Sequence, residues 1–323
     1  MGEFELLEKV RERLPPVGPR VRLGSGDDAA VTVPGGATAT SIDALVEGIH
    51  FRRDKATPTQ IGRKALATAL SDLAAMGAEA GEAYVAVGIP ADLDEDGCLE
   101  LIDGIAGIAA ETGTTLAGGD VTRAPVLTLA VTVVGHAATA EQLIGRGGAR
   151  PGDALALTGA LGGAAAGLLL LERPELAAAL PEETVTQLRR RQLDPTPRLA
   201  AGQALAAAGA RAMIDLSDGL GGDATHLAES SGVGIRVEAA ALPLAPGLAE
   251  VAAAAGRDPL ELATSGGEDY ELLAALPRER LTAAAVVGGP KLTQVGEVLD
   301  GAGVEIRLPD GGTLAPAGFD QLD

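Results

Sequence analysis

Four strand-like runs, TATSIDALV, AYVAVGI, TTLAG and VLTLAVTVVG, lie in the N-terminal half, and the last two follow each other with no helix between them. Helical spacing separates the others, over about residues 61–76 and 98–112. Parallel neighbours need a long crossover, normally a helix, so this order excludes a uniform βαβ alternation and predicts a mixed sheet. Ahead of it, Phe4, Leu7, Val10 and Leu14 recur at helical spacing until Pro15 and Pro16 stop the pattern. Glycine and proline punctuate GRGGARPGD, residues 145–153, and a new strand ALALTG begins behind it. This is the expected hinge, since 323 residues favour two domains over one. Further on, helical patterns near residues 198–208 and 218–231 flank a short strand, ARAMID.

Hydrophobic residues make up 46% of the chain but aromatic ones only 2%, with no tryptophan, so the core has to be built from Ala, Val, Leu and Ile. The formal charge of −20 and the absence of a Lys/Arg-rich run argue against nucleic acid as a partner. The longest apolar run, about residues 154–171, is interrupted by four glycines and too short to span a bilayer. The opening MGEFELLEKV carries acids where a signal peptide needs a basic start, and one cysteine, Cys98, excludes an internal disulfide or a cysteine zinc cage. The cytoplasm is the expected compartment.

Aspartates recur in five settings. GSGDDAAV puts Asp27 and Asp28 in a glycine-bounded turn, which taken alone reads as a solvated turn. Asp43 sits beside Ser41 and Ile42 in a strand-like apolar run, where a carboxylate is costly unless paired or metal-bound. Asp72 interrupts the otherwise core-like ALATALSDLAAMGA. Asp120 ends LAGGD, where Gly119 lets the backbone come close to a phosphate. IDLSDGLGGD supplies Asp215 and Asp218 around Ser217 at a helix start, and an N-cap accounts for one acid but not both. Magnesium takes oxygen ligands and bridges one or two carboxylates to substrate phosphates, so the set together points to metal-assisted phosphate binding. In so acidic a chain, cations between carboxylates and phosphates are needed to reverse the local charge.

The familiar nucleotide signatures, GxxxxGK[ST] and the HRD/DFG pair, are absent. Instead GDDAA, SIDALVEGIHF, ALSDLAAMGA, AGGD followed by Thr122 and Arg123, GRGGARPGD, IDLSDGL and SGGEDYEL occur in an order that resembles the thiamine-monophosphate kinase family, over nearly the whole chain. That family belongs to the superfamily of aminoimidazole ribonucleotide synthetase, selenophosphate synthetase and a hydrogenase-maturation protein. The resemblance implies an α+β fold of two domains. Residues 1–147 would form a mixed sheet with helices that binds ATP and magnesium and pairs in a homodimer. Residues 148–323 would form a sandwich-like α/β domain completing the nucleotide and substrate site.

Carried over to this sequence, the resemblance assigns several magnesium ions to Asp27, Asp28, Ser41, Asp43, Asp72, Asp120, Asp215 and Asp218, with Ile42 offering only its carbonyl. ATP contacts fall to Gly119, Asp120, Arg146 and Ser217, with Arg146 as a guanidinium phosphate clamp. Asp72, Asp120, Arg146 and Asp215 form the implied catalytic set. His50, Glu268 and Phe319 fall at the thiamine end, although each also reads as a structural residue. The implied reaction moves the ATP γ-phosphoryl group in line onto thiamine monophosphate. That acceptor is a phosphate monoester with a second pKa of about 6 and needs no general base. Two alternatives stay open at this point: a superfamily enzyme acting on another acceptor, for which Cys98 sits in neither characteristic cysteine position, and a metal or nucleotide sensor without turnover.

Overall fold

The computed structural model describes residues 3–24, 29–284 and 291–319. Contacts divide the chain into two compact units, Met1–Leu73 with Ala78–Ala140, and Ala74–Gly77 with Glu141–Asp323.

The first unit runs α1 (Glu3–Arg13), β1 (Val21–Leu23), β2 (Val31–Thr32), β3 (Ala37–Val46), α2 (Pro58–Ala75), β4 (Glu79–Ile89), α3 (Glu95–Thr112), β5 (Thr115–Arg123) and β6 (Thr128–Ala137). The main sheet has the order β3-β6-β4-β5, and β1 and β2 form a separate pair. β4 and β5 are parallel across the α3 crossover, whereas β6 is antiparallel to both β3 and β4. The mixed sheet expected from the sequence is therefore present, but β5 and β6, adjacent in the chain, are not adjacent in the sheet.

Leu66, Leu70 and Leu73 of α2, Leu101 and Ile105 of α3, and Leu129, Val131 and Val133 of β6 are all buried. Each fully buried leucine of this kind contributes roughly 2 kcal/mol relative to exposure. Without large rings to fill space, the helices approach backbone to backbone. A Cβ at Gly62 would lie 2.0 Å from the Leu101 carbonyl oxygen, and one at Gly104 would lie 2.1 Å from that of Thr59. β3 alternates: Ser41, Asp43 and Leu45 turn inward while Thr40, Ile42 and Ala44 are exposed.

The second unit runs β7 (Ala154–Thr158), α4 (Gly163–Glu172), α5 (Glu182–Leu193), α6 (Leu199–Ala207), β8 (Ala212–Asp215), α7 (Leu220–Ser231), β9 (Gly234–Glu238), α8 (Leu248–Ala255), α9 (Pro259–Ser265), β10 (Leu272–Leu276), α10 (Leu281–Ala284), β11 (Leu292–Leu299), β12 (Gly303–Arg307) and β13 (Thr313–Leu314). Its seven strands take the order β13-β12-β9-β11-β7-β10-β8. Only β9 and β12 pair in parallel among these described strands. β7 and β10 are buried along their whole length. Leu155, Leu157, Leu273 and Ala275 enter one core with α4, α5, α7, α8 and α9, while Ala156, Leu272, Ala274 and Leu276 enter another with α6. This is a layered arrangement with both sheet faces covered. Among the described residues, no helix is long and apolar enough to cross a membrane.

Candidate active site

In the first unit, β3 and α2 bring Ser41, Asp43 and Asp72 together. The Ser41 hydroxyl donates to Asp72 Oδ2. Burial, and then the Asp72 charge, push the Asp43 carboxyl up to about 6. Ile42 points the other way and is 67% exposed, so its side chain takes no part in this group. Asp120 is exposed, and its register across Ala86, Ala130 and Ala44 sets it on the open face, opposite Asp43 and its partner Val131. Gly119 has a packing reason for being glycine, since a Cβ would lie 2.2 Å from the Val85 carbonyl oxygen. His50 closes the turn after β3, where its Nδ1 accepts the Val46 amide (3.1 Å), so the neutral ring carries its proton on Nε2. Asp27 and Asp28 lie outside the described residues.

In the second unit, two distant stretches, around residues 268–270 and 317–319, converge on the turn between β8 and α7. Asp215, 4% exposed, ends β8. The Ser217 carbonyl accepts the Glu268 amide (2.8 Å), and the Asp218 carbonyl accepts the Phe319 amide (2.9 Å). The Asp218 amide donates to Asp223 Oδ2 (3.1 Å). The tail reaches this turn because Gly221 and Gly222 leave room: a Cβ on Gly221 would lie 2.5 Å from the Ala317 oxygen, and one on Gly222 would lie 3.1 Å from the Gly318 Cα. The Phe319 side chain is 58% exposed beside the turn.

Glu268 and Tyr270 hold φ of 68° and 47°, left-handed values that cost on the order of 1–3 kcal/mol each in non-glycine residues and cluster at functional sites. Their amides are tied down on the Ser217 and Leu216 carbonyls, at 2.8 and 2.9 Å. Arg146, by contrast, is exposed, and its carbonyl accepts the Ser231 hydroxyl at the far end of α7. The 12 residues of that helix separate the ends by about 18 Å. The neighbouring Gly145 carbonyl accepts the Met213 amide (3.0 Å), which sets this stretch beside β8, the strand that Asp215 ends.

The sequence pattern does not single out Asp223. It is 2% exposed, and burial followed by the charges of Asp215 and Asp218 pushes its carboxyl up to about 8. Its position in the first turn of α7, five residues beyond Asp218, is the available signal. Asp269 and Glu271 escape the sequence reading as well. Asp269 accepts the Gly162 and Ala164 amides (2.6 and 3.0 Å) at the start of α4, and Glu271 is wholly buried against Arg191, Arg198 and Thr158.

Burial first, and neighbouring carboxylates second, raise the carboxyls of Asp43 and Asp223, a condition that a bound cation would relieve. Their donors are oxygens only, as magnesium prefers. Among the described residues, no three His, Cys, Asp or Glu side chains close into a metal cage.

Residues 26–137 match the family model described as AIR synthase related protein, N-terminal domain, and residues 150–309 match AIR synthase related protein, C-terminal domain. Fold and site thus define a two-domain protein of the AIR synthase related class. The chain is 40% identical over 297 residues to the thiamine-monophosphate kinase of Mycobacterium tuberculosis, covering 90% of this chain and 86% of that one. The crystal structure of thiamine-monophosphate kinase from Stenotrophomonas maltophilia K279a superposes with a TM-score of 0.83 at 35% identity, covering 97% and 98% of the two chains. A structure described as AaThiL complexed with AMPPCP and TMP superposes with a TM-score of 0.77 at 30% identity, covering 98% and 96%. The chain belongs to the thiamine-monophosphate kinase family.

Proposed function

We infer that this chain is a kinase that transfers the γ-phosphoryl group of ATP to thiamine monophosphate, giving thiamine diphosphate and ADP. The observation that carries the reading is the second-unit turn, where Ser217 and Asp218 join acids to Glu268 and Phe319 through backbone bonds. The residues we assign to the phosphates and those we assign to the organic substrate are thus held at one turn. The match to the kinase family over most of the chain supports the same reading.

Ser41, Asp43, Asp72, Asp120, Asp215 and Asp218, with Asp27 and Asp28, are the proposed holders of magnesium. Bound there, magnesium would screen the repulsion between the two polyanionic substrates. Asp72 and Asp215 fix the carboxylate geometry, and Gly119, Asp120 and Ser217 offer backbone and side-chain contacts to the nucleotide. Arg146 is proposed as a guanidinium clamp on the ATP phosphates. His50, Glu268 and Phe319 receive the thiamine moiety. The acceptor is already largely deprotonated at neutral pH, so transfer is direct and leaves no phosphoenzyme.

We assign residues 1–147 to nucleotide and metal binding and to dimerisation, and residues 148–323 to completing the site. The homodimer reading is supported by the open face of the first sheet, where Ile42 is 67% exposed alongside Thr40 and Ala44. A cytoplasmic setting suits an enzyme that consumes ATP. Incubation with Mg-ATP and thiamine monophosphate should yield thiamine diphosphate in equal amount to ADP. ATP binding without product would favour the sensor alternative, and a stable phosphoaspartate during turnover would contradict direct transfer.

A further inference from the structure

Around Glu268, neighbouring donors divide between two carboxylates. Arg198 donates twice to Glu271 (2.8 and 2.6 Å), and Arg191 donates once more (3.1 Å). Thr158 completes the set at 2.8 Å. Glu271 has no exposed surface, so this ion cluster anchors the segment from below. Gln192, in the last turn of α5 and next to Arg191 in sequence, does something different: its side-chain amide donates to Glu268 Oε2. Gln192 is 5% exposed, whereas Glu268 is half-buried at the left-handed position. A carboxamide orients a carboxylate without cancelling its charge, which a guanidinium in the same place would do.

We propose that Gln192 is a positioning residue that fixes Glu268 as an anionic acceptor for the positively charged thiamine moiety, and so sets specificity for a cationic acceptor. The inference rests on the proposed reading of Glu268. Backbone bonds set where the Glu268 main chain lies, and Gln192 sets where its carboxylate points. Glu271, Arg191 and Arg198 keep the platform rigid beneath it.

The test compares wild type, Glu268→Gln, Gln192→Leu and Gln192→His in steady-state kinetics with both substrates varied, alongside thermal melting. Gln192→Leu should raise KM for thiamine monophosphate about tenfold, the scale of one lost hydrogen bond to a charged group, with kcat and the KM for ATP within about twofold. Gln192→His, which retains an N–H donor, should recover most of the loss. With a phosphorylated analogue that lacks the thiazolium charge, wild type and Gln192→Leu should converge. A wild type that forms no thiamine diphosphate defeats the kinase reading and this inference with it. If Glu268→Gln raises that KM and Gln192→Leu does not, the kinase reading stands and the role of Gln192 is overturned. A lowered melting temperature with both KM values moved alike would make Gln192 merely structural and equally overturn it.

Discussion

The two units hold their acids by different means. In the first, Ser41, Asp43 and Asp72 ride on a strand and a helix, and their meeting is a contact between side chains. In the second, the main chain of residues 216–218 is bonded to residues 268, 270, 319 and the carboxylate of Asp223, so the group exists only when distant segments have assembled. The first arrangement depends on the chemical groups of its side chains and on the tight packing of α2. The second depends besides on main-chain bonds between segments far apart in the chain.

The sharpest way to break this contrast is Asp72→Asn, which should lower turnover at least about a hundredfold while leaving the melting curve almost unchanged. A near-normal rate would remove Asp72 from the site. Asp120→Asn, on the other face of the sheet, is expected to match it, and a mild effect would restrict the first-unit site to the Ser41 side. Next comes Gly221→Val, whose added atoms collide with the Ala317 backbone. It should displace the tail and raise KM for thiamine monophosphate about tenfold, and Phe319→Ala should do the same if the tail acts through its ring. An unchanged KM in Gly221→Val would show that the tail is dispensable.

A smaller change in activity is expected from Ile42→Asp, which should convert the proposed dimer to monomers in size-exclusion chromatography with light scattering. A monomeric wild type would remove the dimer proposal outright. The smallest effect is the pH dependence of metal-free stability. Asp223 has its carboxyl raised from 3.8 to about 8, so the stability it contributes is complete below the unfolded value and is lost as pH rises through the folded one. The melting temperature of metal-free protein should therefore decline from about pH 4 to about pH 8, and less so in Asp223→Asn. Asp43 acts with the same sign around 6. Magnesium added at high pH should reverse the decline, and a flat profile in the wild type would contradict the burial and crowding of these acids.

Periodicity finds the first unit well. The alternation of β3 is readable because one side of that strand is more buried than the other, whereas α2, buried nearly all round from Ile61 to Ala75, is readable as a long run of good helix formers. Sheet order is less readable: TTLAG and VLTLAVTVVG are consecutive, yet β6 inserts between β3 and β4, a choice made by packing rather than by local pattern. IDLSDGL and SGGEDYEL are recognisable as motifs, but their partnership is not visible, since main-chain bonds between Ser217 and Glu268 leave no mark on side-chain chemistry. The inward-facing Asp269 and Glu271 do leave a mark, an alternation of acids that strand-like spacing reproduces. It is hidden because such acids ordinarily face water, and the arginines that satisfy Glu271 lie on a separate stretch of the chain.

Two left-handed residues separated by a single buried aspartate have a thermodynamic consequence for the ligand. Folding has already frozen the main chain of this segment, so an arriving molecule loses its own freedom but does not have to order the loop that receives it. Binding at this place should accordingly show a modest entropic penalty in calorimetry. Replacing Glu268 by glycine would restore the loop's disorder in the unfolded chain and relieve its awkward torsion in the folded one, leaving fold stability nearly level while recognition is lost.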